Sequence, residues 1–416
     1  MAVGACSRTV PPGPVPPPLS TPVSAPPLPA TPPPATPPPP PYVPNKRLET
    51  GKIFNGMQYR VTLETEFGTT ATAERNDPTS YIAELRVSVK VPKPHRDLAE
   101  ISRLNAQLPV ILPTLPALLE SSKVSPFFEE IYRLKVANLR ANMNRLDNLL
   151  SRHNFFDTET VLEFQSPTTK RRALFVQSDM DVDEDGSDSD RVPEVDGSSV
   201  TFQPFTSYKW AKKTEVPNSF ILLRELKLKI SEKELGQSDL PAARVHELKD
   251  SISRLKSEVA DLKKYSYLVA ATDPYVVLPG SMFGKAKGGY APAVGDYCVV
   301  IYEAVLYPAV VGDVGPAYKS GEASLRLCKQ LNARANTSNR PVNDLKVSYL
   351  VFPGSADKPW VSPNLEHWRK RCSALLEELG GFSGELFVWE DLTKPKPIPE
   401  IVPVDPALVP VVAPAP

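Results

Sequence analysis

Proline is concentrated at the two ends of this chain, from residue 7 to about 45, including the run Pro37–Pro41, and again from 394 to 416. Each proline removes a backbone donor and fixes φ, so such stretches cannot supply a helix interior or a central strand. Both ends are expected as extended, polyproline-like tethers. A packed core must therefore come from residues between about 46 and 393.

Inside those limits the side-chain period changes along the chain. Met57–Leu63 and Ile82–Val89 alternate apolar and polar residues around Asn76-Asp77-Pro78, which predicts an antiparallel pair of strands. From Leu98 to about His153 the period becomes helical, with Ile131, Leu134, Leu139, Met143, Leu146 and Leu150 on one stripe. These segments predict a small α+β accessory unit over 46–152. Farther on, Val245, Leu248, Ile252, Leu255, Val259 and Leu262 form a short heptad seam. With the preceding run Phe220–Leu235 it predicts a helical hairpin turning near Ser238–Pro241, or alternatively an oligomerisation device. Oligomeric state itself is not legible.

Charge narrows the function. Lysines and arginines number 48 and so do aspartates and glutamates, so there is no global basic field and no nucleic-acid partner is expected. The four cysteines, Cys6, Cys298, Cys328 and Cys372, form no CxxC pair, and the four histidines have no ligand spacing; no metal and no organic cofactor is expected. Cys298 and Cys328 are the candidates for a disulfide in an oxidising compartment. No apolar run reaches the roughly 20 residues of a membrane span. Val3-Gly4-Ala5-Cys6 resembles the end of a bacterial lipoprotein signal followed by a spacer. It makes Cys6 a candidate lipid-anchor site in a secreted or envelope-attached protein with its true start upstream; a cytoplasmic chain is the alternative if Met1 is the start.

Three segments carry the chemistry. They are Ala173–Gly186, with its aspartates at 179, 181, 183 and 185; Asp273–Pro279 continuing through Val294-Gly295-Asp296 to Val311-Gly312-Asp313-Val314-Gly315-Pro316 and Gly321-Glu322-Ala323-Ser324; and Tyr349–Ser355. Together they resemble the fungal-type chitosanases of glycoside hydrolase family 75 over roughly residues 154–390. The resemblance implies two essential carboxylates, which fall on Asp313 and Glu322, and hydrolysis with inversion at the anomeric carbon. The chain departs from the family pattern at Val314 and at Tyr318-Lys319. By analogy the fold class is α+β: a mostly β, closed or double-psi-like barrel over 153–393, with the helical hairpin inserted at about 220–265.

The residues support carboxylate chemistry in their own right, since inversion needs one acid and one base about 6.5–9.5 Å apart. Asp313 closes the apolar run Ala309–Gly312, and Glu322 is expected in the first turn of a following helix. That placement lowers a carboxyl's pKa through the helix dipole, against a role as acid unless burial raises it more. Glu322 is assigned as acid and Asp313 as base.

Asp179, Asp181, Asp183 and Asp185 would line one face of a strand about 6.8 Å apart, a substrate-binding row for a protonated glucosamine polymer. Asp181-x-Asp183-x-Asp185-Gly186 also opens like an EF-hand loop, but Val192 stands where that loop needs a bidentate glutamate, leaving only looser calcium binding as the alternative. Tyr208 and Trp210, beside Ser207, Lys209 and Lys212, are the candidates for exposed sugar-stacking rings. The expected partner is chitosan or a related polysaccharide. Rival readings are a cell-envelope glycan-binding protein without turnover and a hydrolase of peptidoglycan.

Overall fold

β-Branched and aromatic runs set the strands of this chain, and a computed structural model describes them over residues 65–82, 86–143, 156–284, 289–337 and 339–394. They are β1 (Lys123–Val124), β2 (Thr158–Gln165), β3 (Arg172–Asp183), β4 (Lys209–Ala211), β5 (Tyr265–Tyr267), β6 (Tyr275–Pro279), β7 (Tyr297–Tyr302), β8 (Val305–Gly315), β9 (Glu322–Ser324), β10 (Val342–Val351) and β11 (Glu385–Leu386). The hydrogen-bonded order is β1-β2-β3-β10-β7-β8-β6-β9, and β9 returns to pair with β3. Strands β3, β10, β7, β8, β6 and β9 thus close into a six-stranded barrel. Its closing strand, β9, is three residues long and runs parallel to β3 and antiparallel to β6.

Both faces of this sheet are covered. Along β7, Tyr297, Val299 and Ile301 enter one apolar cluster while Cys298 and Val300 enter another. Strands buried on both faces need no polar alternation, which is why β6 and β7 read as continuous apolar runs.

The helices are α1 (Ala71–Asn76), α2 (Leu98–Leu104), α3 (Leu108–Ile111), α4 (Leu115–Ser121), α5 (Pro126–Ala141), α6 (Phe220–Leu235), α7 (Ala242–Lys264), α8 (Leu325–Leu331) and α9 (Leu365–Leu379). The helical stretch expected from Leu98 is divided into α2–α5. Asp97 caps α2, Ser125 caps α5, and prolines occupy the first turns of α3, α4 and α5. Ile101, Leu108, Ile111 and Leu115 from these helices share a cluster with Phe175 and Val299 of the barrel. On α9, Leu375, Leu376 and Leu379 are buried in the same cluster, each contributing roughly 1.5–3 kcal/mol relative to exposure. Lys135 of α5 makes a fully buried ion pair with Asp157 at 2.5 Å.

Helices α6 and α7 run antiparallel, joined by Arg244–Glu234, Lys256–Glu232 and Lys263–Glu225 ion pairs. Leu248, Ile252, Leu255, Val259 and Leu262 of the heptad seam are buried within the chain.

Two expectations change. The described residues of the predicted second strand, Ile82 and Arg86–Val89, belong to no strand and are exposed. Alternation makes a strand only where a partner covers one face. Among the described residues Cys298, Cys328 and Cys372 are free, buried thiols, so Cys298 and Cys328 form no disulfide. The proline-rich ends, Cys6, Met57–Leu63, Leu146 and Leu150 lie outside the described residues. Among the described residues, no helix is long and apolar enough to cross a membrane.

Candidate functional site

Register places the two expected carboxylates together. Val277, in the middle of β6, pairs with Asp313 of β8 on one side and with Glu322 of β9 on the other. Directly paired residues project from the same face of a sheet, so Asp313 and Glu322 stand on one face, two strands apart. Two strand spacings put their Cα atoms roughly 9.6 Å from each other.

Asp313 reaches that face through a bulge. Val276 pairs with Val311, but Val277 pairs with Asp313, so Gly312 is the extra residue of β8. Regular alternation would leave Asp313 on the face of Val311; one inserted residue turns it to the face of Val277. Glycine is required there, because a Cβ at Gly312 would lie 2.6 Å from Cγ of Tyr275 and 2.8 Å from Cδ1 of Leu268. Asp313 is held by Ser207, whose backbone N–H and hydroxyl both donate to Oδ1, and by the N–H of Val314 at 2.8 Å to the same oxygen.

Glu322 sits in β9, correcting its expected place in a helix. Ser324 is the N-cap of α8, so the helix begins after Glu322 and its dipole does not act on the carboxyl as supposed. Gly321, at φ +73°, lets the chain turn in close beside Asp179, whose carbonyl oxygen a Cβ would meet at 2.4 Å. Lys319 Nζ donates to Glu322 Oε1 at 3.1 Å and lies 3.6 Å from Asp181 Oδ2.

The aspartate row is a strand up to Asp183, as expected, and Asp181 pairs in register with Glu322. Its members differ in environment. Asp179 has no exposed surface and is paired with Arg340, whose Nε also donates to Asp181 at 2.7 Å. The cations that offset these two charges are protein residues, so Asp179 is corrected from a substrate contact to a buried support. Asp183 accepts the Tyr275 hydroxyl at 2.8 Å, and Asp185 accepts the Gln203 N–H at 2.7 Å. A strand with Asp181 engaged by arginine is no EF-hand loop, and among the described residues no group of three or more acidic, histidine or cysteine side chains is arranged to hold a metal ion.

A cavity of about 260 Å³ opens over this row, lined by Asp181, Asp183, Glu184, Asp185 and Glu322 against the single lysine Lys319, with Thr201, Thr337 and Asn339 at its sides. Burial is the main cause of the raised pKa values of Asp183, Asp313 and Glu322. The hydrogen bonds of Ser207 and Val314 oppose the rise at Asp313, and Lys319 opposes it at Glu322. Asp185 is pushed up to about 7, by burial first and by Asp313, Glu184 and Glu322.

These shifts fix a sign for stability. A carboxyl whose folded pKa lies above its unfolded value contributes fully below the unfolded value, near 4, and that contribution is lost as pH rises through the folded one. For Asp185 the window is about pH 4 to 7. The melting temperature is expected to fall by roughly 3 °C or more between pH 5 and pH 8, the effect of about 1 kcal/mol. A melting temperature that stays level or rises over that range contradicts the buried cluster.

Tyr208 and Trp210 are corrected. Both are buried, Tyr208 stacks on Trp360 and donates its hydroxyl to the Val361 carbonyl, and Trp210 lies edge-on to Tyr208. Their aromatic area is used inside the molecule, where such rings gain most. Sequence reasoning missed Ser207, Tyr275 and Arg340. Tyr275 was visible in its segment, whereas Arg340 lies 159 residues from Asp181 with no local signal.

A closed β-barrel with a carboxylate-lined cleft over its closing strand defines a class of site suited to acid–base work on a polar, cationic ligand. Residues 180–381 match the family model of the fungal chitosanases of glycosyl hydrolase group 75. The matched span begins inside β3 and contains Asp313, Glu322 and the whole cavity lining. No curated protein matches the chain.

Proposed function

We propose that the chain is an endo-acting hydrolase of β-1,4 linkages in a chitosan-like aminosugar polymer, working by inversion with Glu322 as acid and Asp313 as base. The observation that carries the reading is the shared register of Asp313 and Glu322 with Val277. It allows a carboxyl separation within the 6.5–9.5 Å that admits a nucleophilic water. Burial raises the pKa of both carboxyls; at Asp313 three hydrogen bonds to Oδ1 oppose that rise and favour the ionised form a base requires, while at Glu322 the rise favours the protonated form an acid requires and Lys319 opposes it. In this reading Asp183, Glu184 and Asp185 bind sugar ammonium groups, the α6–α7 pair is an insertion in the catalytic domain, and residues 46–152 are an accessory unit.

The Lys319–Glu322 contact favours a second reading, a glycan-binding protein without turnover, because an ion pair resists protonation of the acid. Reducing-end release from chitosan, partially acetylated chitin and peptidoglycan separates the readings. Release from chitosan is expected; release from peptidoglycan alone changes the substrate, and release from none leaves the binding protein. Secretion, or attachment to the envelope through Cys6, is proposed because a polymer substrate lies outside the cell and Val3–Cys6 has the form of a lipoprotein signal end. The uncleaved chain in a soluble cytoplasmic fraction contradicts it.

A further inference from the structure

Charge in the cleft is divided at Glu322. On one side, Lys319 Nζ lies between Glu322 Oε1 and Asp181 Oδ2, and Arg340 holds Asp181 from behind. Every carboxylate on that side has a protein cation. On the other side, Asp183, Glu184, Asp185 and Asp313 accept hydrogen bonds from Tyr275, Thr201, Gln203 and Ser207. Among the described residues none of these four has a lysine or arginine within ion-pair distance. One cavity spans both sides, with Lys319, Thr337 and Asn339 lining it together with Asp183, Glu184 and Asp185.

We propose that Lys319 determines specificity: the subsite beside it takes an uncharged N-acetylglucosamine unit, while the subsite over Asp183 and Asp185 takes protonated glucosamine. This rests on the hydrolase reading and deepens it. A sugar ammonium placed beside Lys319 meets a like charge whose counter-ions are already engaged, and such juxtaposition disfavours its binding. An acetamido group brings no charge, and its carbonyl oxygen accepts from an ammonium, which carries three donors, one of them given to Glu322. Across the cleft the requirement reverses, since Asp183, Glu184 and Asp185, three lining carboxylates without cations, favour a protonated amine.

The test is digestion of a partially N-acetylated chitosan, with the sugars at the new reducing and non-reducing ends identified by mass spectrometry. In the wild type, the ratio of N-acetylglucosamine to glucosamine at one class of new end is expected to exceed that of the substrate by about tenfold. Lys319→Met should bring that enrichment down to the bulk composition, and Lys319→Arg, which keeps the charge and secures a folded comparison, should preserve it. Cleavage with both ends at bulk composition, or an enrichment unchanged in a folded Lys319→Met, overturns the inference and leaves the hydrolase reading standing. Absence of cleavage by the wild type on every chitosan overturns both.

Discussion

Replacing Glu322 with glutamine is expected to lower reducing-end release from chitosan by about 10²–10⁴-fold while leaving the circular dichroism spectrum and melting curve of a folded protein. Glutamine keeps the volume of glutamate and can still accept from Lys319, so β9 and its contacts to β3 and β6 have no reason to move. Lost is the exchangeable proton that a leaving oxygen needs. Asp313→Asn should cause a loss of the same order, since its amide cannot take a proton from water at the face of Val277. The two losses should not add: groups that serve one step are worth little apart, so the double variant should fall close to the worse single one. Near-wild-type release by both folded single variants removes the assignment of these two residues.

Gly312→Ala carries the second large effect, at a position that touches no substrate. The added methyl would sit 2.6 Å from the Tyr275 ring and 2.8 Å from Leu268, neither of which can retreat, since both are buried. Relieving the clash requires β8 to shift at its bulge, and the bulge is what aims Asp313. Overpacking of this kind costs about 1–3 kcal/mol of stability. A displacement of about 1 Å at a reacting group costs on the order of 100-fold in rate, so activity should fall far more than stability. The check is a urea melt beside a rate measurement on the same sample. Unchanged activity in Gly312→Ala contradicts the role given to the bulge.

Both effects depend on a layout that the sequence discloses unevenly. The apolar run Ala309–Gly312 of β8 was legible because burial on two faces leaves no polar alternation to confuse it. The aspartate row was legible as a strand because Met180 and Val182 interrupt the acids at period two. Closure into a barrel was not readable from local pattern, since it is made by Glu322–Ser324, a strand too short to carry any period. For the same reason Glu322 looked like the start of a helix: the helix begins three residues later, and Ser324, a good cap, was the signal that could have fixed the boundary.

The site's electrostatics were the least legible part. A row of aspartates without a local cation invites a ligand as the missing partner, yet Arg340 arrives from a loop before β10 and neutralises Asp179 and Asp181. Only the distal aspartates, Asp183 and Asp185, remain as candidates for substrate amines. Tyr208 and Trp210 misled because polar neighbours in sequence say nothing about a strand's two faces in space. The pairing of Trp210 with Ser266 in the β4–β5 ribbon, and the stacking of Tyr208 on Trp360, are contacts made across large sequence separations. Pairings of that kind depend on topology, which a local reading does not contain.

The separation of Asp313 and Glu322 is tested most directly by the stereochemistry of cleavage. Proton NMR of a chitosan digest, followed from the first minutes, resolves the anomeric signal of the new reducing end before mutarotation scrambles it. Carboxylates two strands apart with a water between them predict that the α-anomer appears first, from a β-linked polymer. First appearance of the β-anomer would mean a covalent intermediate and carboxyls only about 5–5.5 Å apart, which contradicts the geometry proposed for this barrel.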